Sequence, residues 1–215
     1  MAVAPLNKFL TFAVPVVPGE QVIYSTPVGV SAILLYAQVS NVGINTYPKV
    51  TFTHRRRTIK TGNVRNNRII KEGEVPPNDS LVIIDGRLVM ERTALMSDSI
   101  VISGTQAGIV SVYDCKYNNV TGLTTVTTIG PHNFSLNDEI VMSGLAFTCG
   151  SASGITTTIF PSPQTSFVVS NVGNSTVFTT TAGVIAGIAH TYVSGGQVGP
   201  LQLEFICSIL ENSTV

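Results

Sequence analysis

Tryptophan is absent from this chain, and charge is scarce: Asp, Glu, Lys and Arg make up 11% of its 215 residues, against roughly 25% in an ordinary soluble domain. Twelve basic and twelve acidic residues cancel to zero net charge. A neutral, hydroxyl-rich surface has no field to steer nucleic acid, and proteins near zero charge tend to associate. Cysteine is also rare. Cys115, Cys149 and Cys207 are far apart and odd in number, which argues against a disulfide framework and a CxxC-type zinc site and points to free thiols in a reducing cytosol. No apolar run approaches the about 18 residues of a membrane span. The run FLTFAVPVV after Lys8 is short and broken by Pro15, and no clean cleavage site follows it, so no signal peptide is expected. Missing too are GxSxG, any glycine cluster in the strand-to-helix setting of a phosphate loop, and any histidine placed near another. No catalytic residue, metal ligand or cofactor is expected, and the chain does not read as an enzyme.

What the chain has instead is short β-prone runs between turn residues. Hydrophobic residues are 44% of the total and mean hydropathy is +0.35, so a substantial core is expected. The organising stretch is Val75–Gly104, with apolar runs at Leu81–Ile84, Leu88–Met90 and Ile100–Ile102. Pro76-Pro77-Asn78-Asp79, Asp85-Gly86 and Ser97-Asp98 precede them as expected turns. Asp-Gly between two β-prone runs predicts a hairpin, because glycine accepts positive φ cheaply. Further strands are expected at Gln21–Tyr24, Val30–Ser40, Lys49–Arg57, Ile109–Tyr117, Thr124–Ile129, Glu139–Met142, Ile155–Phe160, Ser166–Val172, Thr176–Thr180 and Leu201–Leu210, with helix signals nearly absent.

Texture divides the chain. Residues 1–20 carry Pro5, Pro15 and Pro18 and read as an extended N-terminal arm, either lying on a neighbour or frayed. Residues 117–203 contain no Lys or Arg, and only Asp138 and Glu139 as acids. Tyr192–Gln197 leads into the last aliphatic strand much as Val101–Gln106 leads into IVSVYD. The expected fold is all-β: an Ig-like or jelly-roll-type antiparallel β-sandwich of residues 21–111 plus 198–215. A small Thr-rich β-domain, residues 112–197, is inserted before its C-terminal strand; a simple tandem of two domains is the alternative.

Eight of the twelve basic residues lie between Lys49 and Lys71, with no acid among them. Arg55, Arg56, Arg57, Lys60, Arg65 and Arg68 are the candidate subunit-interface residues, since arginine is favoured where bidentate donors meet a protein partner. Charges guarding an edge strand are the competing reading. Nucleic acid is not expected of a neutral chain without helical or aromatic readers. His132 reads as a turn histidine packing on Phe134, and His190, before Thr191 and Tyr192 in a strand, reads the same way. Tyr192, Phe160 and Phe167 are candidates for a sugar platform, with core packing as the alternative. Asp138 and Glu139 are adjacent, so on a strand they face opposite ways and cannot act as paired carboxylates unless one of them sits in a turn.

The segments TPVGVSAILLYAQVSN, TFTHRRR, VPPNDSLVIIDGRLVME and SDSIVISG resemble a small β-sandwich domain of virion structural proteins of tailed bacteriophages. TVTTIGPHNFSLNDEIVMSGLAFTC with AHTYVSGG is similar to inserts in structural proteins of contractile-tailed phages of marine cyanobacteria. Ser97-Asp98 stands where that family usually has Gly-Asp. The resemblance implies a non-enzymatic virion component in multiple copies on capsid, neck or tail, assembled in the host cytoplasm. Its partners would be other virion subunits and itself, with no membrane. A host-surface glycan-binding adhesin or tail-fibre module is the alternative.

Overall fold

The computed structural model describes residues 6–151, 154–158, 161, 165–183 and 189–213, and every regular element among them is a strand. The first seven are β1 (Leu6–Pro15), β2 (Gly19–Ser25), β3 (Val30–Asn41), β4 (Lys49–Thr58), β5 (Val64–Glu74), β6 (Ser80–Glu91) and β7 (Met96–Thr105). Next come β8 (Val110–Tyr117), β9 (Leu123–Thr128), β10 (Glu139–Ser143), β11 (Ala146–Ser151), β12 (Gly154–Thr158), β13 (Phe167–Asn174), β14 (Val177–Thr181), β15 (Ala189–Ser194) and β16 (Gln197–Pro200). The last is β17 (Leu203–Ser213). The chain divides into two compact units, Met1–Thr105 with Gln202–Val215, and Gln106–Leu201.

The first unit has two four-stranded antiparallel sheets, ordered β1-β17-β3-β6 and β2-β7-β4-β5. Within this unit, counted in chain order, the first strand pairs the last, the second the seventh, the third the sixth and the fourth the fifth. This nested pairing is one long hairpin rolled up on itself. The fold is therefore a jelly-roll β-sandwich, the all-β sandwich that the alternating runs predicted. Period-two alternation supplies its core: Ala32, Leu34, Ala37 and Val39 of β3, Val50 and Phe52 of β4, Ile100 and Ile102 of β7, and Leu203, Phe205, Cys207 and Ile209 of β17 are buried together. Phe52 and Phe205, from opposite sheets, stand 5.8 Å apart.

Two local expectations change. Residues 6–15 are an edge strand, paired with β17 over ten consecutive positions without a register shift. Leu10, Phe12 and Val14 alternate into the core, and Pro15 sits at the strand's end, where a missing N–H costs little. Asp85-Gly86 makes no hairpin. Strand β6 runs through it, with Leu88 opposite Leu34 and Asp85 opposite Tyr36, so Gly86 and Arg87 bulge against Leu35. Gly86 is not among the positive-φ glycines. The twelve-residue partner β3 rewards pairing on both sides of the dipeptide, and a bulge absorbs the extra residues.

In the second unit β8 pairs β16 on one edge and β9 on the other, and β16-β10-β13-β14-β9 completes a closed ring. Strands β15, β11 and β12 extend from β8. The closed sheet encloses Val126, Ile140, Met142, Val169, Phe178 and Val198. Strands β15 and β16 lie along the same edge of β8, bent at Gly195 and Gly196, whose φ values are +75° and +100°. A Cβ on Gly196 would meet the Leu145 side chain at 2.6 Å, and one on Gly195 would meet the Gly144 carbonyl at 2.9 Å. Both the turn and the packing require glycine there.

Candidate functional site

The basic cluster lies on the β4–β5 hairpin, an edge of the sandwich. Alternation sends Arg55 and Arg57 to one face and His54 and Arg56 to the other, in line with Phe52. Arg56 is engaged within the chain: its Nε and Nη2 donate to the two carboxylate oxygens of Asp98, each at 2.7 Å. Asp98 Oδ2 also accepts the Glu91 N–H at 3.1 Å and lies 3.3 Å from His54 Nε2. The Asp98 carbonyl accepts the Thr26 N–H at 3.0 Å. Asp98 is thus a buried strand residue, not the expected turn, and it ties together three connections at one end of the sandwich. Burial alone would raise its pKa, but the bonds from Arg56 and the Glu91 N–H, with the nearby His54 and Arg56 charges, hold it below the ordinary value of 3.8.

Arg55 Nη2 donates to Glu20 at 2.5 Å and its Nε to Asn66 at 2.8 Å. Arg57, Lys60, Arg65 and Arg68 are exposed, and Arg65 donates to Asn67 at 3.1 Å. Arg65 stands opposite Arg56 and Arg68 opposite Thr53. The cluster therefore splits into Arg55 and Arg56, which have acidic partners in the chain, and four cations open to solvent. Asp98 is 42 positions from Arg56, so nothing local in the sequence signals the pair.

The opposite end of the sandwich carries a polar cluster around Asn41. Buried Asn41 donates to the carbonyls of Thr46 and Val75 at 2.8 and 2.9 Å and accepts the Gly43 N–H at 2.8 Å. It knits the loop after β3 to the loop before β6. Beside it lies an open hollow of about 520 Å³, lined by Gln38, Ser40, Asn41, Val42, Asn78, Asp79 and Ser80. Gln38 donates to Ser40 at 3.1 Å and accepts from the Tyr36 hydroxyl. Amide and hydroxyl groups with one carboxylate can hydrogen-bond a neutral polyol, but the hollow has no arrangement for bond cleavage.

In the second unit His132 stacks on Phe134 at 4.9 Å. Its Nδ1 accepts the Phe134 N–H at 2.9 Å, so the ring proton resides on Nε2 and is donated to the Asn174 carbonyl at 3.0 Å. Cys149 has a histidine partner: its Sγ lies 2.5 Å from His190 Nδ1, because β11 and β15 pair these residues directly. Both are buried, and burial lowers the His190 pKa. A neutral imidazole against an enclosed thiol is a packed pair, since a nucleophilic cysteine needs an accessible thiolate. A neighbouring pocket of about 280 Å³ is lined by Asp114, Cys115, Lys116, Tyr117, His190, Thr191 and Tyr192. Burial and Asp114 push the Cys115 thiol up to about 12. The suggested sugar platform does not assemble: Phe167 is in the core, Tyr192 packs on Phe147 at 5.8 Å, and Phe160 lies outside the described residues. Asp138 sits in a turn, where it accepts the Ser135 N–H at 2.7 Å. Among the described residues, no group of three or more His, Cys, Asp or Glu side chains is placed to hold a metal ion.

No family model matches the chain, and no curated protein sequence matches it. Among solved structures, the VP2 subviral particle of infectious bursal disease virus aligns over 100% of this chain and 42% of that one, with TM-score 0.30 and 5% identity. The T13 particle of the same virus aligns over 100% and 40%, with TM-score 0.32 and 7% identity. The tandem CBM22 domain of Paenibacillus barcinonensis Xyn10C aligns over 86% and 79%, with TM-score 0.22 and 9% identity. The chain thus spans well under half of the viral proteins it aligns with. Scores this low carry no argument, and the jelly-roll assignment rests on the chain's own strand pairing.

Proposed function

We propose that this protein is a non-enzymatic structural subunit of a virion, held in multiple copies by its neighbours, and that the virion is that of a tailed phage. The observation that carries the reading is the nested pairing of the two sheets β1-β17-β3-β6 and β2-β7-β4-β5. The jelly roll recurs in viral capsid proteins and lectins, and fold-level analogy supplies this step. The side-chain arrangement supports the same reading. The polar clusters around Asp98 and Asn41 spend their hydrogen bonds joining loops, and the four solvent-facing cations Arg57, Lys60, Arg65 and Arg68 suit an acidic patch on a neighbouring subunit. The test is quantitative mass spectrometry of purified particles. The expected result is the chain at a fixed, repeated copy number, with cross-links from Lys60 to an adjacent virion protein. Its absence from particles, with accumulation in the lysate, overturns the proposal.

A second reading is favoured by the hollow beside Asn41. Lectins share the fold, and Gln38, Ser40 and Asn78 offer neutral donors and acceptors, with the Asp79 carboxylate as a further acceptor, for a host-surface glycan. Saturable binding on a glycan array that is lost in Asp79→Ala and Gln38→Ala supports this reading, and a blank array removes it.

A further inference from the structure

Among the described residues, the two sheets of the sandwich end in four strands with a hydrogen-bonded neighbour on one side only, and these edges are not alike. Strand β5 carries Arg65, Arg68, Lys71, Glu72 and Glu74, with Glu72 at φ 52°. Strand β6 is bulged at Gly86 and Arg87. Strand β2 is seven residues long and shifts register between Val22 and Tyr24. Charges, bulges and brevity are the devices that stop a sheet edge from recruiting another strand. Strand β1 is the least protected: ten residues, LNKFLTFAVP, unshifted against β17, with Lys8 as its one charge and proline only at the end. Half of its backbone N–H and C=O groups point away from β17 along a straight edge, and what satisfies such a row is another strand.

The side chains on the sheet's outer face point the same way. Phe9 pairs Leu210, Leu210 pairs Ile33, and Ile33 pairs Val89. This apolar row crosses all four strands and reaches the β1 edge, with Phe9 73% and Val89 53% exposed.

We propose that β1 is a homodimerisation edge, on which β1 of a second copy adds antiparallel to make one continuous eight-stranded sheet. A two-fold axis normal to the sheet turns both outer faces to the same side, so the two apolar rows join and each Phe9 is covered by the other copy. Isologous pairing is the commonest form of assembly. Here it meets no electrostatic opposition, because the chain has zero net charge and the edge has no acid. The proposal names how one copy meets another within the assembly reading above. Its test uses purified protein, so it can fail while the virion assignment stands, and the reverse.

Sedimentation velocity of the full chain over a concentration series is the first measurement, with a dimer of the 22.7 kDa chain as the expected species. Phe9→Lys with Ala13→Lys, both outward on β1 and off the core, is expected to weaken the dimer at least about tenfold. Asn66→Lys on β5 is expected to leave it unchanged. Far-UV circular dichroism establishes that each variant is folded. A nitroxide on Thr11→Cys reads the geometry independently, since the three native thiols are buried. The expected inter-copy distance is within about 20 Å, given the spacing of adjacent strands. A monomer at every concentration, a dimer indifferent to the lysine pair, or a longer spin–spin distance overturns the proposal.

Discussion

Asp98 shows how one side chain can end a core. The β4 and β7 faces are apolar through Phe52, Ile100 and Ile102, and the next inward position would leave a buried carboxylate unless cations met it. Arg56 does so with two bonds, and the Glu91 N–H adds a third to the carboxylate. Asp98→Asn keeps the shape and removes the charge. Because Arg56 is partly exposed and can be rehydrated, the expected loss is about 2 kcal/mol, toward the low end for a broken buried pair, read from urea unfolding at pH 7. The sign of the pH dependence follows from the depressed carboxyl. Its contribution is complete above the unfolded-state value near 3.8 and is lost as pH falls through the lower folded-state value. The gap between wild type and variant is therefore expected to close in acid below that window. A gap constant down to pH 2 would mean that the carboxylate is not what Arg56 stabilises.

At the scale of elements, two glycines make opposite predictions. In a hairpin, Gly86 would need positive φ and its replacement would be costly. In the bulge seen here φ is ordinary and the space around it is open, so Gly86→Ala is expected to change stability by no more than about 0.5 kcal/mol. Gly196→Ala, at φ +100° and against Leu145, is expected to cost roughly 2 kcal/mol. Thermal unfolding of the two variants side by side decides both. The same pair marks how far the sequence could be read. Strand positions along Val30–Ser40 and Lys49–Arg57 were legible, because period-two alternation is local, and Glu139–Met142 was legible as a short aliphatic run between turns, buried at Ile140, Val141 and Met142 in succession. The meaning of Asp85-Gly86 was not, because bulge and turn share a composition and only the length of the partner β3 separates them. The N-terminal segment was misread for a related reason: its prolines exclude a central strand but not an edge. The six basic residues were visible as a cluster. Their division was not, since it depends on Asp98 and Glu20, which are brought to Arg56 and Arg55 from distant sequence.

For the whole molecule, the two units have separate cores, and the ends of the second lie side by side. Ser111 pairs Gln197, Val110 pairs Val198, and a Cβ on Gly108 would touch Pro200 at 3.3 Å. Removing residues 106–201 and joining Thr105 to Gln202 by a short Gly-Ser linker is expected to leave a sandwich that unfolds cooperatively, because strand exchange between the units is absent from every pairing described. The excised segment is expected to show its own β-type dichroism and melting transition. If both halves are unfolded, the units depend on each other.

The native thiols can report on this division. Cys207 belongs to the sandwich core and Cys115 and Cys149 to the other. Burial pushes the Cys207 and Cys115 thiols up to about 12, so in the native state they present almost no thiolate to an alkylating reagent. Modification rates in mild denaturant, assigned by peptide mass, therefore time the opening of each half of the untagged, unmutated protein. Cys207 is expected to react on a different clock from the other two, and identical rates at all three would reveal a single cooperative opening.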